Sequence, residues 1–141
     1  MVFPEGLVIT DGSTQRNGTK YDIDSLDISK FPAHLTADHV DTLSNLIGNV
    51  YGVQKRDGKV TINKIVYAVK ENPYARMAYD LLIGGFSDSF STETMGNLDY
   101  QSNTYFDSEL CGLSQVVTPN NYAAVVNTVH NSLEKSKERV S

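Results

Sequence analysis

Apolar positions change their spacing repeatedly along this chain, and each change predicts an element. Leu7-Val-Ile-Thr10 is a short apolar run closed by Asp11-Gly12, the pattern of a strand ending in a turn. Residues 11–20 are polar and turn-forming, which predicts a flexible loop. Tyr21, Ile23, Leu26 and Ile28 recur among acids and serines, as in an extended segment, up to a break at Phe31-Pro32. From Thr36 the period lengthens. Val40, Leu43 and Ile47 fall at helical spacing, so a short helix or helical turn is expected, capped by Thr36 and stopped by Gly48. Two alternating apolar runs, Asn49 to Lys55 and Lys59 to Val69, then flank Asp57-Gly58. An Asp-Gly pair between such runs is a strong hairpin signal, because it accepts the positive φ angles of a tight turn.

Asn72-Pro73 fits a helix start, with Asn72 as cap and Pro73 in the first helical position. The helix is expected to run to about Ile83 and to stop at Gly84-Gly85. Three hydroxyls, Ser87, Ser89 and Ser91, then crowd around Phe86 and Phe90, and past Phe90 the chain reads as extended. Asn97 to Asn103 is polar and turn-like. Two β-rich pieces, Tyr105-Phe106 and Leu113 to Val117, are separated by a bulge or bend at Cys111-Gly112. Thr118-Pro119 opens a last helix over about 119–139, with Tyr122, Val125, Val126, Val129 and Leu133 at helical spacing. The sum is a single α+β domain over residues 1–141.

Composition narrows the function classes. A chain of 141 residues buries roughly two-thirds of its unfolded surface and folds without disulfides. The single cysteine, Cys111, excludes an internal disulfide and a multi-cysteine zinc site, and fits a reducing cytoplasm. A net charge of −5 argues against nucleic acid as a partner. No apolar run approaches ~18 residues, so no membrane span is expected. The N-terminus lacks the basic and apolar regions of a secretory signal.

The Ser87–Ser91 corner is where chemistry concentrates. A serine just after a Gly-Gly corner can be held rigidly and exposed at the end of a sheet, as a nucleophile must be. It also needs a base to accept its proton, and histidine suits that work near neutral pH. Ser91 is the candidate nucleophile and His39 the candidate base, with Ser89 as the nearest rival. Each residue also has a plainer reading, as a strand serine and a surface histidine. His34 reads as a loop residue and His130 as a polar-face residue of the last helix. His34 and His39 lack the partners of a metal site, and Cys111 in a β run reads as a small apolar residue. Gly84-Gly85 is not a phosphate loop, since no Gly-Lys-Ser/Thr follows. No cofactor or metal is expected. Backbone N–H groups near Gly84-Gly85 or Ser91 are the candidates for oxyanion binding.

Four pieces in order carry a family resemblance over residues 34–126. They are Leu35-Thr-Ala-Asp-His39 followed by Ile47-Gly-Asn-Val50, and the hairpin over Asp57-Gly58. They continue with Ala75 to Gly85 leading into Ser89-Phe-Ser91, and end with Leu110-Cys-Gly-Leu-Ser-Gln-Val-Val-Thr-Pro-Asn-Asn121. The chain resembles the prohead (capsid maturation) serine proteases of tailed phages, whose fold is similar to herpesvirus assemblin. The resemblance implies a small, mostly antiparallel β-barrel or sheet core flanked by helices, with Ser91 as nucleophile and His39 as base. It departs at Gly112, which stands where the family signature has glutamate. Glu109 is the favoured third catalytic residue. Asp107, Glu93, which shares the strand parity of Ser91, and a dyad without an acid remain open.

The implied function is a serine endopeptidase that cleaves phage scaffold and major capsid proteins inside the assembling prohead, in the host cytoplasm. A homo-oligomer is left open. Two other readings stand beside it: a non-catalytic virion or scaffold-associated domain with a decayed site, and an unrelated α+β binding module.

Overall fold

The computed structural model describes residue 2, residues 6–87 and residues 89–117. Among these are nine strands, one α-helix and one 3-10 turn. The predicted last helix over 119–139 and His130 lie outside the described residues. The fold is α+β and mostly sheet, but the sheets do not close into the barrel that the resemblance implied. A three-stranded sheet holds β1 (Leu7–Thr10), β6 (Lys59–Ile62) and β5 (Gln54–Arg56) in the order β1-β6-β5. A six-stranded sheet runs β2 (Lys20–Tyr21), β9 (Thr104–Val116), β3 (Ala33–Ala37), β4 (Leu46–Tyr51), β7 (Lys64–Tyr67), with β8 (Ser89–Asp99) also on β9.

The Asp57-Gly58 hairpin forms as predicted, and both turn residues have positive φ, 54° and 72°. Its two arms keep one register from Arg56↔Lys59 out to Gly48↔Tyr67, yet they belong to two sheets. The fold line is Gly52, whose φ is 70° and whose absent Cβ would sit 2.8 Å from the Asn63 Cβ. A single ladder thus turns a corner and carries the chain from one sheet to the other. Leu7, Ile9, Val60 and Ile62 of the small sheet share one core cluster with Leu35, Val50, Phe90, Leu110 and Leu113 of the large one.

The helix α1 (Pro73–Ile83) also forms as predicted. The Asn72 side chain accepts the Tyr74 N–H, and its amide donates to the Ser44 and Leu46 carbonyls, tying the cap to the start of β4. Ala75, Ala78 and Leu82 form its buried face.

Four local expectations are corrected. Thr36 does not cap a helix; it lies in β3, and only Leu43–Asn45 makes a 3-10 turn. Pairing with β4 and β9 on both sides outweighs the local helical spacing. The segment from Asn97 extends as strand to Asp99 before the turn into β9. The two pieces around Cys111-Gly112 are one strand, and the bulge expected there does occur. The register shifts between Glu93↔Gly112 and Thr94↔Leu110, leaving Cys111 unpaired. Of the residues from Tyr21 to Ile28, only Tyr21 is in a strand; Leu26 closes a turn on Ile23.

Candidate active site

The site grows from three neighbouring strands of the large sheet. Parallel pairing sets Thr36 of β3 beside Ser114 of β9, and antiparallel pairing sets Ser114 beside Ser91 of β8. A row of three hydroxyls therefore crosses β3, β9 and β8 on the face opposite Leu35, Leu113 and Phe90. All three are buried, so Ser91, at 5% exposure, is not the exposed serine that the sequence predicts and meets the cleft only at its edge. One rung along, Glu93 faces Gly112.

His39 reaches this row from a tight turn. Asp38 and His39 both have left-handed backbone, with φ of 55° and 58°, and the Val40 N–H closes the turn on the Ala37 carbonyl. Few non-glycine residues adopt that conformation, although Asp and His are enriched among those that do. Two hydrogen bonds hold it. The Asp38 N–H donates to the Gln115 carbonyl at 3.1 Å, and the His39 N–H donates to Ser114 Oγ at 2.8 Å. Ser114 passes its own proton to the Thr36 carbonyl at 3.1 Å. Ser114 is thus the post on which the histidine turn is fixed.

The carboxylate that meets His39 belongs to Glu93. Its Oε1 lies 3.8 Å from His39 Nδ1 and accepts the Thr36 hydroxyl at 2.6 Å. The structure places Glu109 elsewhere: it pairs with Lys30 at 3.4 Å and does not line the cleft that holds His39 and Ser91. Asp107 is exposed beyond the bulge, its N–H held by Ser25. Glu93 pairs with Gly112 in the same unbroken register as Ser91 with Ser114, two residues on and so on one face; Glu109 lies past the bulge at Cys111, opposite Met95 and farther along the strand. Gly112 has its own part in this. A Cβ there would stand 3.7 Å from Glu93 Oε2. The Glu93 carboxylate occupies the space beside position 112, so an acid is present across the ladder from the place where the family signature carries it.

Ser91, His39 and Glu93 line one cleft of about 410 Å³, walled also by Gln15, Tyr21 and Thr94. Among the described residues no hydrogen bond joins Ser91 to His39. Ser89 and Cys111 are not in the lining. Ser89 is buried opposite Val116, and the Cys111 thiol donates to the Glu109 carbonyl. His34 is turned to Asn49, 3.2 Å away, on another part of the surface. The Gly84 and Gly85 N–H groups are bonded to the Asp80 and Leu82 carbonyls, which removes them as oxyanion donors. Among the described residues no cluster of His, Cys, Asp or Glu could hold a metal ion. No described helix is long and apolar enough to cross a membrane.

Sequence reasoning passed over Gln115. This buried amide accepts the Tyr67 hydroxyl at 2.6 Å and donates to the carbonyls of Ala78 at 2.9 Å and Ser87 at 3.1 Å. It joins the sheet, the helix and the corner that leads into Ser91. Burial pushes the Tyr67 phenol far above its usual range, with the neighbouring Tyr79 adding to the shift. Thr36 and Ser114 were inside the motifs, but only the cross-strand register gives them a role.

In comparisons with known proteins, no family model, no curated protein and no solved structure matches this chain.

Proposed function

We propose that the protein is a serine endopeptidase in which Ser91 is the nucleophile, His39 its base and Glu93 the group behind the base. One observation carries the reading: the serine and histidine picked out by the sequence line the same cleft, with a carboxylate at His39 Nδ1. A carboxylate at Nδ1 favours the tautomer that leaves Nε2 free to take a proton, and it stabilises the imidazolium once the proton has moved. His39 takes the Ser91 proton as the hydroxyl attacks a peptide carbonyl, and returns it to the leaving amine. The hydrogen bond between Ser91 and His39 is expected to form with substrate in place, since catalytic hydrogen bonds tighten in the complex. Among the described residues β8 pairs only with β9. From Thr92 on the strand is partly exposed, and its outer N–H and C=O groups there can take an extended peptide laid along it.

By the family resemblance, the substrates are phage scaffold and major capsid proteins, processed inside the assembling prohead in the host cytoplasm, and the finer assemblin-like fold belongs to the same reading. The alternative, a virion-associated domain with a decayed site, drew its support from Gly112. Glu93 supplies the missing carboxylate and weighs against it. A fluorophosphonate probe followed by peptide mapping tests the proposal. Labelling at Ser91, lost in His39→Gly, supports it; His39→Gly removes the imidazole while keeping the left-handed backbone. An unlabelled Ser91 in folded protein sinks it.

A further inference from the structure

Gln15 stands out in the wall of the cleft because one of its polar atoms has no partner. It is 3% exposed, and its Oε1 is the buried side-chain oxygen without a hydrogen bond among the described residues. The orientation of this amide follows from proton accounting. The Thr19 hydroxyl spends its one proton on Asn17 Oδ1 at 2.6 Å, so Thr19 Oγ1 can only accept from Gln15, at 3.2 Å. Gln15 therefore points its NH2 at Thr19 and leaves Oε1 as an acceptor. A buried acceptor left unpaired costs about 1–3 kcal/mol, so a site that keeps one gains when a ligand supplies the donor.

The rest of the lining restricts that donor. Around Gln15 stand the hydroxyls of Tyr21, Thr92 and Thr94, with Tyr21 bonded to Thr94 at 2.7 Å. The carboxylate in the lining is Glu93, already engaged by Thr36 and facing His39. A lysine or arginine entering here would be drawn to Glu93 and away from Gln15, in competition with His39 for the carboxylate. An acidic side chain would meet both Glu93 and the Gln15 oxygen. An apolar one would leave the acceptor unpaired. A carboxamide offers an N–H donor to Gln15 and an acceptor to the hydroxyls.

We infer that this part of the cleft is a specificity subsite for an asparagine or glutamine side chain of the substrate, with Gln15 as the residue that reads it. The inference rests on the endopeptidase reading above. It is tested by digesting a mixture-based peptide library with the full chain, mapping the cut sites by mass spectrometry, and labelling Ser91 with a fluorophosphonate in parallel. Asparagine or glutamine should be enriched at least about fivefold over leucine and glutamate at one position near the cut bond. Gln15→Leu should remove that enrichment, with Ser91 labelling as the control that the variant's nucleophile still reacts. The loss should fall on kcat/KM for amide-containing peptides and spare the others. Should Gln15→Leu fail to fold, Gln15→Asn, which draws the oxygen back by one methylene, makes the same comparison. A labelled enzyme that shows no amide preference, cuts nothing in the library, or keeps its preference in the Gln15 variants overturns this inference alone. An unlabelled Ser91 overturns the endopeptidase reading and this inference with it.

Discussion

Replacing Glu93 by glutamine removes one charge from beside His39 and little else. The amide keeps an oxygen for the Thr36 hydroxyl, and its volume matches the carboxylate. At 3.8 Å, an imidazolium and a carboxylate attract by about 4 kcal/mol at an effective dielectric constant of about 20. Both groups are partly open to water, the His39 side chain 44% exposed and that of Glu93 29%, so solvent screening cuts this to about 1–2 kcal/mol. In the proposed mechanism the histidine gains that charge as it takes the serine proton, so the loss is expected in the barrier, as a ~5- to 30-fold slower reaction. The assay is the second-order rate of fluorophosphonate labelling at Ser91, read by intact mass, with a thermal melt as the folding control. A second variant sharpens it. Gly112 has ordinary backbone angles, and a Cβ there lies 3.1 Å from the His34 carbonyl and close to the Glu93 carboxylate. Glu93→Ala combined with Gly112→Glu moves the acid across the ladder into the space just vacated, and should recover part of the rate lost in Glu93→Ala. Glu93→Gln labelling within twofold of wild type would refute the role given to Glu93. So would a Gly112→Glu change that folds and restores nothing.

Three further outcomes are expected. Gln115→Leu leaves the Tyr67 hydroxyl and the Ala78 and Ser87 carbonyls without their partner. It should lower stability by about 2–4 kcal/mol in urea unfolding. Gly48→Ala drives a methyl into the Val66 carbonyl across the β4–β7 pair, and should cost about 1–3 kcal/mol in the same assay. The Tyr67 phenol is raised by burial, so the folded state holds its proton above pH ~10 where the unfolded state releases it. The stability that Tyr67 supports is therefore complete below pH ~10 and falls as pH rises beyond it, by up to about 1.4 kcal/mol per unit. Tyr67→Phe should show a lower plateau and a flatter alkaline limb; equal slopes would contradict this.

Much of the local structure could be read from the chain because its causes are local. Asp57-Gly58 accepts positive φ whatever surrounds it, Asn72-Pro73 satisfies a helix start by itself, and Leu7 to Thr10 needs only its own alternation. Between Thr36 and Ile47 the helical turn forms at Leu43–Asn45, but the cap at Thr36 was misread because helical spacing is a weak preference, and pairing on both edges of β3 overrides it. The barrel failed for a related reason. Closure depends on which strands meet at the sheet edges, and no residue pattern states that.

The candidate site divides along the same line. The sequence by itself determined the two reactive types, Ser91 after the Gly-Gly corner and His39 after Ala-Asp, and marked Gly112 as a place without an acid. Only the tertiary structure decided which carboxylate stands behind the histidine. Glu93, Asp107 and Glu109 are alike in chemistry and close in sequence, and the pairing of β8, β9 and β3 sets Glu93 beside Thr36 and His39 while Glu109 lies past the bulge beside Lys30. A side chain's direction in a sheet depends on register, and register is a property of two strands together.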